Sequence, residues 1–401
     1  GKAYVRWANL ISPYMEGVTP RKEVKDIATL EKELVLLPRP QQLTLTGGWY
    51  SGDETVTEVT ADKSVGENDY DLYGYPDEAY RLQITVTATN KVGFLRARQT
   101  MAQLKESTDG QLPTCDIVDW PAFKLRGYMH DVGRSFISVD ELKKEIDLLA
   151  RFKVNTFHWH FTENQAWRLE INAYPQLTAA KNMTRFAGQY YTQQQCRDLE
   201  AYAAERGIII IPEIDMPGHS GAFERAMGHG MLTTQGQKEL KTILGEVLDI
   251  FPLAPYIHIG ADETAVSEDF LRPVADAIRA EGKKVVTWNP INTTIKPTFT
   301  DMTQMWSTRG AMVSGMPNID CRYNYVNHFD VFADVVGIYK STIYYATEGN
   351  PGIAGAITAK SSPHSASETA NNAVTFFMAL TSVSCTSSEI STVSATRGTA
   401  S

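Results

Sequence analysis

From Lys124 onward the chain alternates short apolar runs with stretches whose apolar residues recur every three or four positions. The short runs predict strands over 125–129, 155–160, 208–212, 256–260, 284–288, 302–306, a less apolar one over 319–323, and 353–357. Helical spacing predicts helices over 139–152, 193–206, 237–251 and 268–281. Ser138 with Glu141 has the form of a capping box, and Gly207 and Gly282 stand where helices commonly end in glycine. Before residue 115 the pattern is mixed. Strands are predicted over 34–38 and 80–86, a helix over 92–104, and an acidic, polar, loop-rich stretch over 53–71.

Strand–helix units repeated over about 235 residues imply an α/β protein with a parallel sheet, of the size of a (β/α)8 TIM barrel. An open doubly wound sheet usually carries a glycine-rich phosphate loop after its first strand, and none follows Met129. The expected organisation is a smaller N-terminal α+β accessory domain over 1–115, the (β/α)8 catalytic barrel over 116–360, and a tail over 361–401, rich in Ser, Thr and Ala.

Composition narrows the partners. The net charge of −9 disfavours a phosphate backbone, so no nucleic acid is expected. Seven Trp and eighteen Tyr suit a glycan site, whose sugars present C–H faces to aromatic rings, and they suit a packed core equally. Four cysteines match neither a zinc motif nor a dense disulfide framework. No transmembrane segment and no signal peptide are read in the chain.

In a barrel, chemistry sits where strands end. Asp131 and Arg134 follow the first predicted strand, and His158, His160, Glu163 and Trp167 the second. Glu213, Asp215 and His219 follow the third, and Asp262 and Glu263 the fourth; Trp288 and Trp306 close the fifth and sixth. Acids, an arginine and indoles on one rim are what a sugar hydrolase uses. Each also has a plainer role: Asp262–Glu263 as a helix cap, Arg134 on the surface, the indoles in the core. His158 and His160 lie two apart on one strand face, so a metal-dependent TIM-barrel hydrolase is an alternative reading. Their aromatic neighbours Phe157, Trp159 and Phe161 favour structural histidines.

Four ordered motifs then carry a resemblance: RGYMHDVGRSF (126–136), NTFHWHFTENQAWRLE (155–170), IIPEIDMPGHSGA (210–222) and YIHIGADET (256–264). Together they resemble glycoside hydrolase family 20, and LVLLPRPQQL and GFLRARQTMAQL look like that family's accessory domain. The resemblance implies an exported, retaining exo-β-N-acetylhexosaminidase with a terminal β-linked GlcNAc or GalNAc glycan as substrate and no cofactor or metal. It implies substrate-assisted catalysis through an oxazolinium intermediate, with Glu263 as general acid and Asp262 supporting the acetamide. Arg134 would anchor sugar hydroxyls, Glu163 and His219 would support Glu263, and Trp288 and Trp306 would wall the pocket. Departures are also visible. Glu163 stands where the family usually has Asp. The nearest counterparts of a Tyr-x-Asp element are Tyr325 and Asn327, with Asp330 further on, and no Trp follows Trp306. A non-catalytic glycan-binding protein is the alternative those departures suggest.

Overall fold

A computed structural model of the chain describes residues 29, 34–50, 57–66, 74–83, 85–108, 110–291, 299–322, 324–325 and 352–360. It divides into two compact units, with a break in sequence between Lys124 and Leu125.

The first unit is a five-stranded sheet with one long helix. Its strands are β1 (Gln42–Trp49), β2 (Thr57–Thr60), β3 (Tyr80–Leu82), β4 (Thr85–Ala88) and, after helix α1 (Lys91–Ser107), β5 (Pro113–Asp119). The spatial order is β1-β5-β3-β4-β2. Asn90 starts the helix by accepting the backbone N–H groups of Val92 and Gly93. Tyr80, Leu82, Val86, Ala97, Leu104 and Ile117 form the core.

Two expectations fail here. Residues 34–38 do not form a strand. The Gln103 side-chain amide takes both the N–H and the C=O of Leu37, each at 2.7 Å, in place of a strand partner. The single strand expected over 80–86 is a hairpin, because the chain turns at Gln83, whose N–H donates to Thr85 O. Within the acidic stretch Thr57–Thr60 is a strand, exposed throughout. Strands β1 and β5 had no counterpart in the sequence reading. In β5 burial alternates strictly, but its inward residues include Pro113 and Asp119, which blunts the apolar signal.

The second unit is a closed parallel barrel of eight strands: β6 (Leu125–Asp131), β7 (Thr156–His160), β8 (Ile209–Glu213), β9 (Tyr256–His258), β10 (Lys284–Asn289), β11 (Met302–Met305), β12 (Asn318–Asp320) and β13 (Ile353–Lys360). The (β/α)8 expectation holds, and all eight predicted strands are present. Helix α2 (Val139–Arg151) follows β6, and α3 (Gln193–Glu205) follows β7 after two 3-10 turns. Helices α4 (Gly221–Met227) and α5 (Thr234–Ile250) follow β8, and α6 (Glu268–Ala280) follows β9. No helix links the later strands among the described residues.

Helix α2 shows why such segments become barrel helices. Leu142, Ile146, Leu149 and Ala150 form one buried stripe. Ser138 Oγ accepts the Glu141 N–H at 3.2 Å, which is half of the expected box. The full reciprocal box lies at Thr192 and Gln195, ahead of α3. Gly207 and Gly282 have the expected left-handed φ, +69° and +75°. The tail over 361–401 and Asn327 lie outside the described residues.

Candidate functional site

Register sets which side chains share a level inside the barrel. Asp131 pairs with His160, His160 with Glu213, and Glu213 with His258. Four consecutive strands therefore bring two carboxylates and two imidazoles to one layer just under the rim. Glu213 is the hub of that layer and is fully buried. Its carboxylate meets His158 Nε2 at 2.7 Å and His160 Nδ1 at 2.5 Å, and His258 Nδ1 lies 3.1 Å away. It also accepts the indole N–H of Trp288 at 2.8 Å. Burial acts against the charge, but the three histidines together hold Glu213 well below the ordinary carboxylate range. Burial pushes His158 down to about 4, so it is neutral. His160 is also buried, yet the charges of Glu213 and Asp131 outweigh that and raise it well above an ordinary histidine.

Above the hub lies the acid network. His160 Nε2 is 3.6 Å from Glu163, and His219 Nδ1 is 2.9 Å from Glu163 Oε1. On its far side His219 Nε2 lies 3.1 Å from Glu263 Oε2 and 3.8 Å from Asp262 Oδ1. Arg134 ion-pairs with Asp131 at 2.5 Å and with Glu163, and stands 3.3 Å from His219 Nδ1. A continuous path thus runs from the Trp288 indole through Glu213, His160, Glu163 and His219 to Glu263.

The loop after β9 presents the acid pair by an unusual backbone path. Gly260, Ala261 and Glu263 have φ of +67°, +74° and +45°, and His219 opposite has +47°. Left-handed φ at three non-glycine residues around one cleft is strain localised where side chains must be aimed. At Gly260 the need for glycine is also steric, because a Cβ there would lie 1.7 Å from Asp215 Oδ1. That same Asp215 oxygen accepts the Ala261 N–H at 3.2 Å, pinning the loop.

The pair is split in environment. Asp262 is buried, at 8% exposure, while the Glu263 side chain is 55% exposed. Burial, with the charges of Glu213 and Glu263 added and His219 opposing, pushes Asp262 up to about 6. Its Oδ1 has no hydrogen-bond partner among the described residues. Burial and the neighbouring Asp262 and Glu213 raise Asp215 well above its ordinary value. His219 is raised too: burial opposes its charge, but the bond to Glu163 and the charge of Asp262 prevail. Glu163 is pulled down by His160, His219 and Arg134 in spite of its burial.

The structure thus brings together Arg134, Glu163, His219, Asp262, Glu263 and, through Glu213, Trp288. Trp306 lies just beyond β11, half-buried, with its N–H donating to Pro290 O at 3.3 Å. Tyr325 bridges Ala359 of β13, and burial and the charges of Cys321 and Asp262 raise its phenol well above the usual value. Glu213 and His258 complete this network; the sequence reading placed Glu213 at the end of the third strand without giving it a role, and gave none to His258. Two histidines facing one way on β7 were the available signal. His158 with Glu213 and His258 is one of several groupings close enough to hold a metal ion. One ring nitrogen of each, His158 Nε2 and His160 Nδ1, is turned onto Glu213.

Residues 123–240 match the family model described as glycosyl hydrolase family 20, catalytic domain. Among curated relatives, a beta-hexosaminidase of Vibrio furnissii is 33% identical over 340 residues, 68% of this chain and 54% of the relative. A beta-N-acetylhexosaminidase of Cellulomonas fimi is 35% identical over 256 residues, 54% of this chain and 51% of the relative. The chain spans about half the length of these two relatives. In three dimensions, the beta-N-acetylhexosaminidase of Bacteroides fragilis superposes with a TM-score of 0.75 at 24% identity, covering 91% of this chain and 94% of that one. A Vibrio harveyi exo beta-N-acetylglucosaminidase solved with N-acetylglucosamine gives 0.73 at 22%, covering 92% and 76%. At these identities the spatial likeness is one of fold; with the ordered motifs and the matched catalytic-domain segment beside it, the chain belongs to glycosyl hydrolase family 20.

Proposed function

We propose that the protein is a retaining exo-β-N-acetylhexosaminidase that removes terminal β-linked GlcNAc or GalNAc from glycans. The observation that carries this reading is the split pair: a buried Asp262 whose Oδ1 has no hydrogen-bond partner among the described residues, beside an exposed Glu263 that rests on His219. The sugar's own 2-acetamido oxygen attacks the anomeric carbon, which is a recognised departure from the two-carboxylate scheme. Glu263 protonates the leaving glycosidic oxygen, and later takes the proton of the water that opens the ring.

Asp262 accepts the acetamide N–H through its Oδ1, which has no hydrogen bond among the described residues. As the oxazolinium forms, its positive charge makes the ionised form of Asp262 still more favourable, so the interaction strengthens toward the transition state. Arg134, fixed by Asp131 and Glu163, binds the ring hydroxyls. Trp288, oriented by Glu213, gives the acetamide an apolar wall, and Trp306 and Tyr325 extend that rim; Asn327 belongs to the same proposed set. Loss of the acid in Glu263→Gln is expected to slow turnover of an aryl β-GlcNAc by about 10²–10⁴-fold. Asp262→Asn is expected to be impaired by about 10²–10³-fold. Steady-state kinetics check both, and near-normal rates in the two variants would end this reading.

A further inference from the structure

The barrel unit buries Arg168 completely, and among the described residues no carboxylate forms an ion pair with it. Its charge is spread over backbone carbonyls instead. Nε donates to Val132 O at 3.0 Å, and Nη2 to Arg185 O at 2.8 Å, with Gly133 O at 3.5 Å. Nη1 donates to Phe186 O at 2.8 Å and Gln189 O at 2.7 Å. The rings of Phe136 and Phe186 each lie 5.9 Å from the guanidinium carbon. Burial lowers the group only to about 10, so it stays charged at neutral pH.

The acceptors come from two places. One is the 183–189 segment. The other is the Val132–Gly133 pair, directly ahead of Arg134. That short loop has little slack. The N–H groups of Val132 and Gly133 both donate to His160 O, at 3.1 and 3.3 Å. A Cβ on Gly133 would lie 2.8 Å from Glu163 Cβ, so the loop already rests on the side chain that holds Arg134. Moving the Val132 carbonyl therefore moves Arg134 and Glu163 together.

We infer that Arg168 is a positioning residue for sugar binding: its carbonyl contacts lock the loop that sets where the Arg134 guanidinium stands. This rests on the proposed role of Arg134 as the hydroxyl anchor. Only a planar group with five donors fits the acceptor set. A lysine offers three donors from one point, so Arg168→Lys keeps the charge and loses the lock.

The test is a double-mutant cycle over Arg134→Lys and Arg168→Lys. It reads kcat and KM on an aryl β-GlcNAc, and the dissociation constant of a thiazoline analogue of the cyclic intermediate. Arg168→Lys alone is expected to raise KM and the dissociation constant about tenfold, with kcat changed by less than about threefold. In the Arg134→Lys background it should add less than about twofold, because the two residues act through one anchor. Equal penalties in both backgrounds would overturn the inference, as would a fall in Tm with KM unchanged. Should Arg168→Lys not fold, Phe136→Leu loosens one side of the same guanidinium, and the same non-additivity is required of it. A wild type that neither binds nor cleaves any β-N-acetylhexosaminide overturns the hexosaminidase reading, and this inference with it. An active wild type with an additive cycle overturns only the role of Arg168.

Discussion

Asp262 carries two opposite demands, and both can be measured. Its carboxyl is pushed up to about 6 by burial, whereas the proposed chemistry needs it ionised. The acidic limb of kcat/KM is therefore expected to rise through about pH 6, as the Asp262 cluster in the free enzyme loses its proton. A limb centred near 4 would contradict this. For stability the sign is reversed. A carboxyl whose folded pKa lies above its unfolded value of 3.8 binds its proton more tightly in the native state. Its contribution is greatest below about pH 4 and is lost as pH rises through 6. At pH 7 Asp262→Asn should thus be more stable than wild type, by about 1–3 kcal/mol, while nearly inactive. Thermal or denaturant unfolding at pH 7 measures this, and a destabilised Asn variant would refute it. The pair itself was legible in the sequence, because neighbouring acids at a strand end form a local pattern. The meeting of Glu213 with His158, His160 and His258 was not, because it depends on the register between β7, β8 and β9, and one strand read alone does not contain that.

At the scale of elements, one outer helix, away from the active cleft, carries a buried acid whose titration is shifted. Glu200 on α3 is buried and pushed up to about 7. Burial is the main cause, opposed by the N–H groups of Leu253 and Ala254 and by the charge of Lys283. Lys283 in turn donates to the carbonyls of Phe251, Pro252 and Ala254 beyond the end of α5. Since the folded pKa exceeds the unfolded value of 4.5, stability from this group is lost as pH rises from about 4.5 through 7. Glu200→Gln should match wild type near pH 4.5 and exceed it by about 1–3 kcal/mol near pH 8, since an amide oxygen still accepts both N–H groups. Equal Tm values at both pH values would contradict this. The helices and barrel strands were readable because periodicity of 3.6 or continuous apolarity survives within each segment. Residues 34–38 misled for a physical reason: buried leucines look like a strand, but a glutamine side chain satisfies their backbone. The hairpin within 80–86 was hidden because no glycine or proline marks its turn.

For the whole molecule, charge bears on substrate encounter. The chain carries −9 overall, and the proposed substrate is neutral. Electrostatic steering should be slight, so kcat/KM on an uncharged aryl β-GlcNAc is expected to change less than about threefold between low and high salt. A steep salt dependence would point to a charged substrate instead. The barrel as a whole was legible from the alternation of its segments, because eight strands in one rhythm leave few architectures.

How that barrel is sewn shut has its own consequence. Strand β13 lies between β12 and β6, in parallel register with both, and a Cβ on its Gly355 would lie 1.6 Å from Leu125 O. Of the eight barrel strands, the last in chain order is thus the one that pairs with the first, β6. A nascent chain halted before Ile353 would carry seven of the eight barrel strands and leave the margins of β12 and β6 bare. Premature stop codons upstream of that point should yield inclusion bodies rather than a weakened enzyme.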